Sequence, residues 1–264
     1  MSQEVLLDNR NSTLTTMSLV RITLGPDDPE ELIPCDNYEM LVYPLIGDVE
    51  FLSSDVGPFR LTGRASVTQK PKRAIRVLND TEDGHDFILR LTGRTRYADL
   101  LITHLDIANR PGNKHGIVYD PIVEFIIHHV GKGNYRRQVR VLDDQREPFQ
   151  IFAGETLNQV GGWSSFPPHA NATEAGTKFD QWQELFYHIS NRYSLMCLDG
   201  YYTDGSRAEG ARLIPNNFAF TTPLGSHPIV SAPDGWSWYF WAYQGNSIEK
   251  AYNTQAHHVG TYVK

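Results

Sequence analysis

The chain has 264 residues, of which 40% are hydrophobic and 21% charged, and it carries a formal net charge of -7. That composition excludes a disordered chain, and the acidic balance excludes nonspecific nucleic-acid binding, which needs Lys and Arg on phosphates. Two distant cysteines, Cys35 and Cys197, exclude a disulfide framework, and no run approaches the roughly 18 apolar residues of a spanning helix.

In chain order, strand signals dominate. The N-terminal residues lack the basic-then-apolar pattern of a signal peptide, so a reducing cytosol with no membrane partner is expected. Segments 39–43, 87–91 and 121–130 are short and rich in β-branched and aromatic residues. Between the last two, Leu100, Leu101 and Leu105 are spaced for a short helix over 97–108. The polar stretch 142–148 is the predicted domain boundary. It gives an N-terminal domain of residues 1–142 without a metal site and a C-terminal domain of residues 143–264 with a candidate one. Segments 182–189, 217–222 and 236–243 continue the strand pattern, with Gly, Pro, Asn and Asp turns between many of them. The last segment places Trp236, Trp238 and Phe240 on one parity and Tyr239, Trp241 and Tyr243 on the other, as expected for a strand buried on both faces. Many short strands with frequent turns predict an all-β fold of sandwiches or barrels. Exposed β-edges and an aromatic-rich surface admit a homo-oligomer.

The segment Gly161-Gly-Trp-Ser-Ser-Phe-Pro-Pro-His-Ala-Asn171, then Glu184-Leu-Phe-Tyr-His188, then Gly225-Ser-His-Pro228 carry the candidate chemistry. Side chains two apart on a strand share a face, so His169 and Asn171 can project into one cavity. Glu184 shares its strand parity with Trp182, Phe186 and His188, and a carboxylate buried among aromatics needs a partner. A divalent cation would supply one, and imidazole with carboxylate suits zinc, manganese, iron or nickel. Each residue also has an ordinary reading: a hydrogen-bonded loop histidine, a solvent-facing glutamate. By periodicity alone the ordinary readings carry more weight. His85, His104, His115, His128 and His129 in the first half form no His-x-His pair and are read as structural or surface residues.

In order and context these segments resemble the 5-deoxy-glucuronate isomerase family of inositol catabolism, with 4-deoxy-5-hexulose-uronate ketol-isomerase as a more distant relative. Residues 161–169 resemble the signature G-x-W-S-S-Y-P-P-H, residues 184–188 the strand E-V-Y-Y-H, residues 202–204 the element Y-T-D, and residues 225–236 the run G-Y-H-P-V-x-A-x-P-G-Y. Upstream, residues 131–139 match G-x-G-N-x-x-R-x-V and residues 61–67 match x-x-G-R-x-S-V.

The resemblance implies a bicupin, two tandem jelly-roll-like β-barrels, with one divalent metal in the second. It implies the metal ligands His169, Asn171, Glu184 and His227, where Asn171 stands at a histidine of the family. That departure admits a different metal, a three-residue site completed by water, or lost activity. The implied reaction is aldose–ketose isomerisation of a deoxy-uronic acid such as 5-deoxy-glucuronate, in which the metal polarises a sugar oxygen and a base moves the proton. His188 and Tyr187 are the candidate catalytic groups, and Arg137 the candidate clamp for the sugar carboxylate. The alternatives are a packing role for His188, an interdomain salt bridge for Arg137, a dioxygenase on the same barrel, and a cupin that binds a carbohydrate or other small ligand without turning it over.

Overall fold

A computed structural model of the chain describes residues 2–81, 85–93, 95–108, 114–142, 148–166, 184–201, 207–222 and 227–244. Among them the only helical element is a 3-10 turn at Gly133–Tyr135; the rest of the regular structure is strand. The chain divides into two compact units, Met1–Phe125 with Leu142–Ile151, and Ile126–Val141 with Phe152–Lys264.

The first unit is built from β1 (Ser2–Leu7), β2 (Met17–Leu24), β3 (Glu30–Pro34), β4 (Tyr38–Ile46), β5 (Asp48–Ser53), β6 (Phe59–Thr62), β7 (Ala74–Asn79), β8 (Asp86–Leu91), β9 (Ala98–Asp106) and β10 (Ile117–Ile122). They form a six-stranded sheet, β1-β2-β9-β4-β7-β10, and a four-stranded sheet, β3-β8-β5-β6. The core combines alternate residues of both: Val20, Ile22, Met40, Val42, Leu100 and Ile102 from the first with Ile33, Val49, Phe51, Phe87 and Leu89 from the second. That alternation is the two-residue period of a strand with one face turned to a partner sheet.

The second unit repeats the plan with β11 (Phe125–Val130), β12 (Arg137–Leu142), β13 (Ile151–Asn158), β14 (Trp163–Ser164), β15 (Glu184–Ser190), β16 (Ser194–Tyr201), β17 (Arg207–Ile214), β18 (Phe218–Thr221), β19 (Ile229–Ser231) and β20 (Ser237–Gln244). Its six-stranded sheet is β11-β12-β13-β20-β15-β18 and its four-stranded sheet β14-β19-β16-β17. Each unit is thus a jelly-roll-like pair of sheets rather than a closed barrel, and the all-β, cupin-like expectation holds in that form.

Three local expectations change. The helix expected over 97–108 is β9, paired with β2 on one side and β4 on the other and buried over most of its length. Its leucines fit helical spacing only because a central strand buries both faces and so loses its alternation. The run 121–130 is two strands, β10 and β11, divided at the exposed Val123 and belonging to different units. The boundary expected at 142–148 joins β12 to β13 instead, which pair antiparallel from Arg137↔Asn158 to Val141↔Gly154. With that pairing, residues 126–141 fall with the second unit, while residues 143–147 lie outside the described residues. Residues 142–151 fall with the first, where the buried Glu39 carboxylate accepts the backbone N–H groups of Gln150 at 2.7 Å and Ile151 at 2.6 Å.

Candidate functional site

Two inward positions of the second unit come together. Glu184 opens β15, and its carboxylate Oε2 lies 3.6 Å from Nε2 of His227, with side-chain exposures of 7% and 3%. The hydroxyl of Thr222 donates to the same Oε2 at 3.3 Å. Phe186, two residues along β15 on the same face, stands edge-on to the His227 ring at 5.6 Å and stacks on Phe220 at 4.9 Å. A buried carboxylate and imidazole therefore face each other inside an aromatic wall.

The separation matters. At 3.6 Å the nitrogen and oxygen are too far apart for a good hydrogen bond between them. Two donors on one cation at about 2.1 Å each and a tetrahedral angle sit about 3.4 Å apart. The donor types and their spacing fit a divalent cation. Among the described residues no group of three or more His, Cys, Asp or Glu is gathered for a metal; the other two expected ligands, His169 and Asn171, lie outside the described residues.

Local sequence explains how the distant pieces meet. Gly161 has φ +64° and donates its N–H to the carbonyls of Ala232 at 3.0 Å and Gly235 at 3.2 Å, so the first glycine of the signature makes the left-handed turn that a side chain would strain. The chain then runs as β14 against β19, with Trp163 opposite Val230 and Ser164 opposite Ile229. Ile229 is two residues after His227. The pairing thus carries the segment leading to His169 alongside the one that holds His227. Ser164, fully buried, accepts from Asn158 Nδ2 at 2.8 Å and donates to the Ile229 carbonyl at 3.2 Å, which fixes that register.

The remaining candidates are placed differently. Tyr187 is buried on the opposite parity of β15 from Glu184, and its hydroxyl donates to Asn217 Oδ1 at 3.4 Å. It cannot act on a substrate held at Glu184. His188 shares the face of Glu184 but lies four residues along the strand. It is fully buried, with Nδ1 3.0 Å from the Pro215 carbonyl and Nε2 2.9 Å from the Ser194 hydroxyl. Burial pushes its pKa down to about 4 against the raising effect of the Pro215 carbonyl, so it is a neutral structural histidine. Arg137 pairs with Asn158, whose Nδ2 reaches Ser237, and Ser237 pairs with Ser190 at the far end of β15 from Glu184. Six residues of strand are about 20 Å. Arg137 Nη1 donates to the carbonyls of Tyr135 and Phe166, both at 3.2 Å, and its pKa is lowered by burial. In this structure it anchors the end of the signature rather than standing beside Glu184 and His227.

Thr222 and Asn158 were not singled out from sequence. Strand parity contained the signal for the first: Phe218, Phe220 and Thr222 alternate onto one face, and Phe220 lies opposite Phe186. The aromatic strand β20 is buried on both faces, as its pattern required: Tyr239, Trp241 and Tyr243 point inward and Trp238 and Phe240 are fully buried on the other side. Gly154 makes room for this wall, since a Cβ there would come within 2.4 Å of the Trp241 indole.

Comparison with known proteins agrees with this architecture. Residues 2–260 match the KduI/IolB family. A 5-deoxy-glucuronate isomerase of Halalkalibacterium halodurans is 25% identical over 259 residues, covering 96% of this chain and 90% of its own. An IolB-like protein of Salmonella typhimurium LT2 superimposes with a TM-score of 0.74 at 18% identity, covering 92% of this chain and 89% of that one. A quercetin 2,3-dioxygenase of Acinetobacter baumannii shares the fold at a TM-score of 0.56 and 10% identity, covering 92% and 80%. The chain belongs to the KduI/IolB family and is built from two tandem cupin-like units.

Proposed function

We propose that the protein is a metal-dependent aldose–ketose isomerase acting on a deoxy-uronic acid, with 5-deoxy-glucuronate the first substrate to test. The observation that carries this reading is the buried Glu184–His227 pair at 3.6 Å. Glu184 and His227 would hold one divalent ion, zinc, manganese, iron or nickel, with His169 and Asn171 as the further ligands. Such an ion supplies Lewis-acid polarisation of a substrate oxygen. The chain's own contribution is positional: Thr222 holds one oxygen of Glu184, and Phe186 with Phe220 orients His227 and keeps water out. Tyr187 and His188 are occupied structurally, and Glu184 serves this reading as a metal ligand. A cytosolic setting, with neither nucleic acid nor membrane as partner, accompanies this reading.

Asn171 favours a second reading, a divergent cupin that binds a carbohydrate without turning it over. One experiment separates the two. Metal-loaded protein is incubated with 5-deoxy-glucuronate in deuterated water, and product and deuterium at the carbon next to the carbonyl are followed. Isomerisation is expected, with deuterium incorporated, and it should vanish in Glu184→Ala and His227→Ala. Neither product nor exchange across several metals and uronates favours the binding protein; product that survives both substitutions places the chemistry elsewhere. Asn171→His should tighten metal binding by about tenfold, the lower end of changes around a metal shell.

A further inference from the structure

The inward row of β9 in the first unit, Leu100, Ile102 and His104, begins in the aliphatic core and ends in a cavity of about 400 Å³. His104 lies in register with Ser18 on one neighbouring strand and Met40 on the other. Ser18, Pro34, Tyr38, His104 and Asp106 line the cavity together with Asp8 and Arg10. Its size is in the range of small-molecule sites.

His104 is the anomaly. Its Nδ1 is buried and has no hydrogen-bond partner. The Tyr38 ring packs against it at 5.6 Å and 70°. An orphaned buried N–H is rarer than an under-used acceptor, which assigns the proton to Nε2 and leaves that nitrogen as the donor for a ligand. The charges around the cavity disfavour an anion. Arg10 is tied to Asp8, its Nε donating to Oδ2 at 2.7 Å, and Asp106 adds a further negative charge to the lining. Burial pushes His104 down to about 4, so it offers no cation near neutrality.

We propose that this cavity is a second binding site, separate from the Glu184–His227 pair, for a neutral hydroxyl-bearing molecule of about monosaccharide size. An oxygen of the ligand accepts from His104 Nε2, the Tyr38 ring packs against its carbon face, and Ser18 and Asp106 meet its remaining hydroxyls.

The test is ligand-observed saturation-transfer NMR with glycerol, xylitol and methyl β-glucoside as neutral probes and glucuronate as the matched anion. At least one neutral probe should bind wild-type protein, and His104→Phe or Ser18→Val should weaken it by about tenfold, the share of a lost hydrogen bond. Glu184→Gln should leave that binding unchanged, which keeps this site distinguishable from the one proposed for isomerisation. The proposal fails if none of the three neutral probes responds. It fails equally if the response survives in whichever cavity variant folds, or if glucuronate displaces the neutral probe there.

Discussion

The two units share one plan, a six-stranded sheet against a four-stranded one, and fill it with different chemistry. In one hydrophobic cluster between the sheets of the first unit, two of the seventeen described residues are aromatic, Phe51 and Phe87, and the rest are aliphatic or sulfur-bearing. In such a cluster of the second, six of ten are aromatic: Phe152, Phe186, Phe220, Tyr239, Trp241 and Tyr243. Branched aliphatic chains interdigitate to close packing. Flat rings instead make a wall, and against it the second unit places a buried carboxylate and imidazole. The lesson is that the fold supplies a container, while the inward-facing residues of a few strands decide whether it is a core or a site.

The sharpest way to break the comparison is to remove the metal's expected holder from one unit only. Glu184→Ala should weaken metal binding by more than about 100-fold, since even changes around the ligands cost 10- to 100-fold. His104→Phe in the first unit should leave it intact. Elemental analysis of protein purified without chelator checks both; equal metal in wild type and Glu184→Ala would remove the distinction between the units.

Buried charge comes next. Arg140 and Glu155 in the second unit are 3% and 1% exposed and paired at 2.5 Å. Arg21 and Asp99 in the first are 24% and 7% exposed, paired at 2.7 Å. Stranding a fully buried guanidinium costs about 3–5 kcal/mol, whereas Arg21 at 24% exposure keeps access to water when its partner is removed. Glu155→Ala should therefore lower the urea midpoint far more than Asp99→Ala; similar shifts would mean that burial does not set the difference.

The units should be alike in acid. His188 and His104 are both held near 4 by burial, below the ordinary 6.5. Each contributes fully above pH 6.5, where it is neutral in both states, and the contribution is lost as the pH falls from 6.5 towards 4, because the unfolded chain then binds the extra proton. At about 1.4 kcal/mol per unit this is about 3 kcal/mol for each. All five tryptophans, Trp163, Trp182, Trp236, Trp238 and Trp241, belong to the second unit, so their fluorescence reads that unit alone. His188→Leu should flatten the pH dependence of the fluorescence-detected unfolding, and His104→Phe should not. A change on His104→Phe would show the two units unfolding as one.

The smallest expected effect contrasts two glycines. Gly154→Ala in the second unit must push the Trp241 indole aside and should cost about 1–3 kcal/mol. Gly57→Ala in the first meets open space and should stay within about 0.5 kcal/mol of wild type. Thermal unfolding of both resolves the pair, and a neutral Gly154→Ala would mean that the aromatic wall is looser than its contacts imply.

By itself the sequence determined the all-β class and the burial of both faces of β20, which follow from residue type and strand parity, both local properties. Glu184 and His227 were nominated by the resemblance to the isomerase family. Parity could equally have nominated Thr222, since it alternates with Phe218 and Phe220. Tertiary structure decided what local pattern leaves open. The Leu100–Leu105 spacing reads as helix because a central strand hides its period. The polar stretch 142–148 reads as a domain boundary, yet the strands on either side of it, β12 and β13, pair with each other. Tyr187 and His188 are adjacent candidates for proton transfer in sequence, His188 with the better intrinsic pKa, yet Tyr187 faces away from Glu184 and His188 is consumed by Pro215 and Ser194. Arg137 suits a carboxylate by its chemistry, but the register of β12 on β13 sets it at the far end of the sheet, against the Phe166 carbonyl. Pairing register and the identity of the covering neighbour are set by residues far away in the chain, so they cannot be read from any one segment of it.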